Sequence, residues 1–287
     1  MRLFAQRVVF PYATNFNHKS GGITMSDLTK DQIRQNVRNR YKQIALQEVN
    51  AGTGCWTPSS CCDSPTEISS KLGYSAEELS AVPEGANLGL GCGNPQAIAE
   101  VKPGEVVLDL GSGGGFDCFL ASRQVGETGR VIGVDMTPEM ISKARANAAK
   151  GGFSNVEFRL GEIEHLPVAD QSVDVIISNC VINLSPDKPQ VFREAYRVLK
   201  PGGRLAISDV VLTAELPPEI KNDLDAYSGC MSGASSIDEL KMILEQSGYT
   251  RITIEPKDES RTFIKDWLPG ANIEDYIVSA IIKAVKP

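Results

Sequence analysis

The stretch Val106-Val107-Leu108-Asp109-Leu110-Gly111-Ser112-Gly113-Gly114-Gly115, running on into Phe116-Asp117-Cys118-Phe119-Leu120, decides the fold. Its first five residues read as a short apolar strand, the glycines as a tight turn, and the segment through Gln124 as a helix. Arg130 to Val134 is predicted as the next strand, closing at Asp135. Backbone N–H groups at such a turn and helix start suit a polar or anionic ligand group, and small residues let the ligand come close. Asp135 is then placed to bind a ribose diol through its carboxylate. A glycine loop alone is a weak signal. With a strand before it, a helix after it and an acid ending the next strand, it becomes strong.

Working outward, the alternation continues. Pro138 to Lys150 is predicted as a helix, Val156 to Leu160 and Val173 to Ser178 as strands, and Lys188 to Leu199 as a helix. Pro201-Gly202-Gly203 reads as a turn into a strand from Arg204 to Val211. This βαβ pattern implies an α/β fold with a mostly parallel sheet covered by helices on both faces. Glu215 to Gly248 reads as helical inserts, and Arg251 to Glu255 with Tyr276 to Val285 as a closing pair of strands in the same sheet. Upstream, Ile33, Val37, Tyr41 and Ile44 mark an amphipathic helix over Asp31 to Val49. A Gly/Ser/Pro/Cys loop is expected through Pro65, then a helix start at Ser75 with the Ser75–Glu78 capping-box spacing, and a glycine-rich loop from Gly85 to Pro95.

Composition narrows the function classes. The chain has 287 residues, 41% hydrophobic and 23% charged, which suits an ordinary globular protein. Lys plus Arg total 29 against 36 for Asp plus Glu, a net charge of -7. That balance argues against nucleic acid or an anionic membrane as the main partner. No stretch reaches the apolar length of a membrane span, and Met1 to Ser20 fails as a signal peptide, so a soluble cytoplasmic protein is expected. Ser20-Gly21-Gly22 just before Ile23-Thr24-Met25 suggests that residues 1–24 are a leader and Met25 the natural start.

Seven cysteines, Cys55, Cys61, Cys62, Cys92, Cys118, Cys180 and Cys230, are too few for a disulfide scaffold and odd in number. Cys118, between Phe116 and Phe119 on a helix, reads as core packing. Cys180 sits just past the fourth strand, where open α/β sheets place ligands. Cys92 and Cys230 lie in glycine loops, where a hydrophobic filler makes less sense. Cys55, Cys61 and Cys62 do not have a recognised four-ligand zinc spacing. His18 and His165 form no cluster.

Asp109 to Gly115 resembles the first motif of class I methyltransferases that use S-adenosylmethionine. Gly161-Glu162-Ile163-Glu164 resembles that family's adenine-facing motif, and Val198 to Gly203 the turn before its fifth strand. The resemblance implies a Rossmann-like sheet with a closing antiparallel strand. It implies donor contacts from Asp109, Gly111, Gly113, Gly115, Asp135, Met136, Glu162, Ile163 and Asn179. Ser178-Asn179-Cys180-Val181-Ile182-Asn183-Leu184, with Gly91-Cys92-Gly93 and Gly229-Cys230, resembles the arsenite S-adenosylmethionine methyltransferases more narrowly. In that family the cysteines matching Cys92, Cys180 and Cys230 bind trivalent arsenic, and one matching Cys61 or Cys62 takes part in thiol–disulfide chemistry. The implied organisation is a helical and cysteine-loop region over 25–95, then a donor-binding domain over 96–287 with a substrate-site insert at about 213–249.

The residue types suit that chemistry, since soft thiolates are natural ligands for a thiophilic centre. Arsenite or its thiol adducts would be the substrate, and a thiol reductant such as thioredoxin or glutathione a co-substrate. Two other readings stand beside it. One is a methyltransferase for a different small molecule with structural cysteines; the other is a non-catalytic arsenic binder.

Overall fold

In the computed structural model, residues 28–46 and 64–287 are described. In chain order the helices and strands are α1 (Lys30–Leu46), α2 (Pro65–Lys71), α3 (Ala76–Ser80), α4 (Gln96–Ala99), β1 (Val106–Leu110), α5 (Phe116–Val125), β2 (Arg130–Asp135), α6 (Pro138–Gly151), β3 (Val156–Leu160), β4 (Val173–Asn179), α7 (Lys188–Val198) and β5 (Leu199–Leu212). There follow α8 (Pro218–Lys221), α9 (Leu224–Ser228), β6 (Ser235–Ser236), α10 (Ile237–Gln246), β7 (Thr250–Lys257), α11 (Arg261–Ile264) and β8 (Ile277–Val285).

The strands form one sheet in the order β3-β2-β1-β4-β5-β8-β7, with β6 paired to β5 off that path. The first five are parallel, as the βαβ pattern requires, while β8 runs antiparallel to both β5 and β7. The expected mixed sheet is therefore the observed one. The strand order reverses direction between β1 and β4, and Gly111 and Cys180 follow the C-terminal ends of those two neighbouring strands. This is the switch point at which open α/β sheets hold ligands.

Two apolar layers flank the sheet. One gathers Leu108, Ile176, Phe192, Leu205 and Ile282 beneath α7 and α10; the other gathers Val107, Phe119, Ile141, Phe158 and Ile177 beneath α5 and α6. A third cluster lies beyond the strand ends and joins Ile33 and Val37 of α1 to Val210, Tyr227, Met231, Ile264 and Ile273. Ile33, Val37 and Ile44 are buried, and each such side chain contributes about 1.5–3 kcal/mol. That face, together with the charged pairs below, seats α1 across the switch point.

Three local expectations are corrected. Pro201-Gly202-Gly203 does not precede the fifth strand; it is a bulge inside it. Leu199 already pairs with Val173, the register then jumps to Val175 with Arg204, and Gly202 takes φ +81. A helix not expected from the sequence starts at Pro65, where Ser64 accepts from the Glu67 N–H and Glu67 from the Ser64 N–H, with proline in the first turn. The insert after β5 is not purely helical, because β6 adds a short parallel bridge to Val211 and Leu212. The anticipated leader and start at Met25, and Cys55, Cys61 and Cys62, lie outside the described residues.

Candidate active site

A cavity of about 330 Å³ opens at the switch point. Its floor is the glycine loop, with Asp109, Gly111, Ser112, Gly113 and Gly114; Asp135, Met136 and Ile163 form one side. Val37, Tyr41 and Ile44 of α1 cover it, and Asn179, Cys180 and Cys230 close the far end.

The loop is shaped by what a side chain would strike. A Cβ on Gly111 (φ +73) would stand 2.4 Å from Val181 Cγ2, whereas one on Gly113 (φ +50) would meet nothing within 4 Å. Gly113 thus borders free space, while Gly111 leaves room for the Val181 side chain packed against the loop. Gly115 is not on the cavity wall; its Cβ would meet the Phe119 and Phe158 rings at 2.8 Å, so it serves packing. Asp135 accepts from the N–H groups of Gly113 (3.0 Å) and Thr137 (2.8 Å), which fixes its carboxylate beside the loop. The buried Ser112 hydroxyl has no partner within the protein. An unpaired buried hydroxyl, an open Gly113 and an oriented carboxylate fit a polar, ribose-bearing ligand.

Acid dominates the floor. Burial pushes the Asp109, Asp117 and Asp135 carboxyls upward, Asp117 to about 6. Asp117 was not singled out in the sequence, where an acid in the first turn of a helix reads as an ordinary cap. Instead it accepts from Tyr74 Oη at 2.8 Å, and Asp109 accepts from Cys118 Sγ at 3.2 Å. A cationic ligand in the cavity would stabilise these carboxylates.

Asn179 spends its amide on the protein. Its Nδ2 donates to Gly93 O (2.8 Å) and Tyr74 Oη (3.1 Å), and its Oδ1 accepts from the Cys92 N–H (3.0 Å). Gly91 (φ +131) lies so close that a Cβ there would stand 2.8 Å from that amide. Asn179 therefore clamps the Cys92 loop onto the end of β4, and Ser279 Oγ holds Cys92 O at 2.6 Å. Glu162 is also engaged elsewhere. Arg38 reaches it at 3.0 Å and Arg34 at 3.5 Å, Arg34 also meets the nearly buried Glu164 at 3.1 Å, and Glu162 is absent from the cavity wall whereas Ile163 and Glu164 line it.

Cys92, Cys180 and Cys230 come together although they lie far apart in sequence. All three are buried; the Cys92 and Cys180 sulfurs lie within 4.8 Å of each other, and Cys230 Sγ donates to Cys180 O at 2.8 Å. The neighbouring thiols Cys230 and Cys92, and then burial, hold the Cys180 thiol well above its ordinary value, and burial raises that of Cys92. Cys180 (φ 59) and Cys230 (φ 64) both take left-handed backbone conformations, which cost non-glycine residues energy and concentrate at functional sites. Cys118 is separate, fully buried among Phe119, Ala121 and Val125. Asp209, unremarked in the sequence, lies 1% exposed on β5 beside Cys92 and Cys180. Its signal was an acid inside an otherwise apolar strand.

Comparison with known proteins follows the same lines. Residues 101–248 match the family described as a methyltransferase domain. An arsenite methyltransferase of Halobacterium salinarum is 54% identical over 269 residues, covering 92% of this chain and 69% of that protein. The human arsenite methyltransferase is 38% identical, over 83% of this chain and 65% of its own length. The chain thus spans about two thirds of the length of these relatives. The crystal structure of CrArsM, an arsenic(III) S-adenosylmethionine methyltransferase from Chlamydomonas reinhardtii, is 33% identical, with a TM-score of 0.58 over 77% of this chain and 73% of that one.

Proposed function

Because the chain belongs to the methyltransferase-domain family and, within it, to the arsenite methyltransferases, we propose that it moves the methyl group of S-adenosylmethionine onto trivalent arsenic held by Cys92, Cys180 and Cys230. The observation that carries this reading is the meeting of three buried thiols, Cys180 and Cys230 lining one end of the cavity with Cys92 behind them, while the other end is the glycine loop and Asp135.

The donor supplies a sulfonium methyl. In this reading Asp135 takes the ribose, the glycine loop with Asp109 and Asp117 takes the cationic methionine end, and Met136 and Ile163 border the adenine. Three thiolate sulfurs leave the arsenic lone pair facing away from them, toward the methyl. That pair forms the new carbon–arsenic bond while the carbon–sulfur bond breaks and its electrons stay on sulfur, giving S-adenosylhomocysteine. No proton moves in this step, so no general base is required, and the protein contributes position and exclusion of water. α1 serves the second purpose by covering the cavity.

Return of the methylated product to a trivalent state takes two electrons. Two thiols closing to a disulfide supply them, and we assign this to Cys61 or Cys62 acting with Cys92, reset by a thiol such as thioredoxin or glutathione. No helix among the described residues is long and apolar enough to cross a membrane, and the acidic charge balance suits a small-molecule substrate.

Transfer of labelled methyl to arsenite in the presence of a thiol reductant tests the reading. Methylated arsenic is expected; donor and arsenite binding without transfer would leave a binding protein. Asp135→Ala should weaken donor binding at least tenfold in calorimetry while arsenite still binds. Unchanged donor affinity would reassign the ribose site.

A further inference from the structure

We propose that Cys92, Cys180 and Asp209 form a site for a borderline-soft divalent cation, zinc being the type, whose ligand set overlaps that for arsenic without matching it. The sulfur atoms of Cys92 and Cys180 and a carboxylate oxygen of Asp209 all lie within 4.8 Å of one another. Among the described residues the three thiols do not meet that spacing, since Cys230 points its Sγ at the Cys180 carbonyl. Cys180 and Cys230 line the cavity, whereas Cys92 and Asp209 stand behind that wall. Two ligand sets therefore share Cys92 and Cys180, one completed by the Cys230 sulfur and one by an oxygen.

Asp209 is held for such a role. Its Oδ1 accepts from the Val210 N–H and Asn183 Nδ2, each at 2.8 Å, and among the described residues its Oδ2 accepts only from the Ile182 N–H at 2.8 Å. Oδ2 thus keeps a lone pair free. No basic side chain forms an ion pair with it among the described residues. Lys188 acts from farther off, with its ammonium committed to Gly233 O and Ser235 Oγ. Burying a carboxylate without a cation is costly, and a bound dication would relieve that cost.

The chemistry separates the two ligand sets. Trivalent arsenic prefers three sulfurs and has no need of a hard oxygen. Zinc accepts sulfur at about 2.3 Å and carboxylate oxygen at about 2.0–2.2 Å, which puts tetrahedral ligand atoms roughly 3.5–3.8 Å apart. A contraction of at most about 1.3 Å closes the trio on the ion, with a water in the fourth position. The two thiol protons pass to solvent as the sulfurs bind, and Asp209 enters as carboxylate. Nothing is oxidised or reduced. Competition with arsenite rests on the arsenic reading above, but the cation site itself does not.

Zinc chloride and arsenite, added separately and together, test this. The proteins are the full chain and the full chain with Cys55, Cys61 and Cys62 changed to Ser. One zinc per chain is expected in the altered chain, displaced by arsenite. X-ray absorption should give two sulfurs and at least one oxygen on the metal. Asp209→Asn should lower zinc affinity at least tenfold while still taking up arsenite, and Cys230→Ser should do the reverse. Thermal unfolding checks the fold of each variant, and the sulfur count on the chain with Asp209 intact stands without either. Three sulfurs on zinc, no bound zinc, or Cys230→Ser losing zinc as Asp209→Asn does would each overturn the proposal. Two sulfurs on zinc in a chain that fails to bind arsenite would support this site and overturn the arsenic reading instead.

Discussion

At the scale of single residues, four buried cysteines provide their own control. Cys92, Cys180 and Cys230 cluster beside the cavity, while Cys118 donates to Asp109 in the core. Cys→Ser at each of the first three should cut methylation at least a hundredfold with donor affinity changed far less, because in-line transfer depends steeply on position. Cys118→Ser should retain most activity once folding is verified. An inactive Cys118→Ser beside three active variants would refute the site. Asp117 makes a second prediction. Its folded value of about 6 exceeds the ordinary 3.8, so its contribution to stability is present below pH 4 and is lost as pH rises through 6. At about 1.4 kcal/mol per unit, that loss approaches about 3 kcal/mol. Asp117→Asn removes it. In denaturant titrations the variant should gain on the parent by about 1–3 kcal/mol between pH 4 and 7. Saturation with the cationic donor should shrink the gap. A gap independent of pH would show that Asp117 is not the titrating acid.

At the scale of elements, α1 is a cover held by charge. Its Arg34, 15% exposed, pairs with Glu164 at 3% exposure, and Ser185 Oγ meets the same carboxylate at 2.7 Å. Removing one partner of so buried a pair costs about 3 kcal/mol. Arg34→Ala should therefore loosen α1, raise the donor KM about tenfold or more, and increase protease cleavage within residues 30–46, with Arg34→Lys recovering part of the effect. An unchanged KM would mean that α1 does not hold the donor. The strands and long helices were legible in the sequence because each buries a run or stripe of apolar residues bounded by glycine or an acid. The four-residue helices α4 and α11 were not, since such lengths are below self-sustaining helix nucleation and exist through packing. The bulge in β5 was hidden for another reason. Pro201-Gly202-Gly203 has turn chemistry, yet pairing on both sides keeps the strand continuous. In the site, the glycine loop and the acid after β2 could be read directly. Tyr74, Asp117 and Asp209 could not, because a buried polar group differs from an exposed one only through its tertiary surroundings.

At the scale of the whole molecule, the cavity brings together parts of the chain from α1 to the residues just after α11, and the proposed cycle adds Cys61 and Cys62 from outside the described residues. Changing both to Ser should impair turnover with arsenite more than with an already methylated arsenical, because only the first requires the full series of thiol exchanges. Equal activity of the double variant on both substrates would remove their role. The order of strands has a different consequence, one that concerns synthesis. β8 is made after β7 yet lies between β7 and β5. Until Ile277 to Val285 has emerged, the flank of β5 that β8 will cover, from Arg204 to Leu212, has no partner, and β7 has nothing to pair with. At about 5–20 residues per second, a ribosome leaves that apolar margin bare for several seconds. Open strand margins recruit foreign strands. A nascent chain arrested before Ile277 should therefore aggregate or bind a chaperone, and one released after Val285 should not.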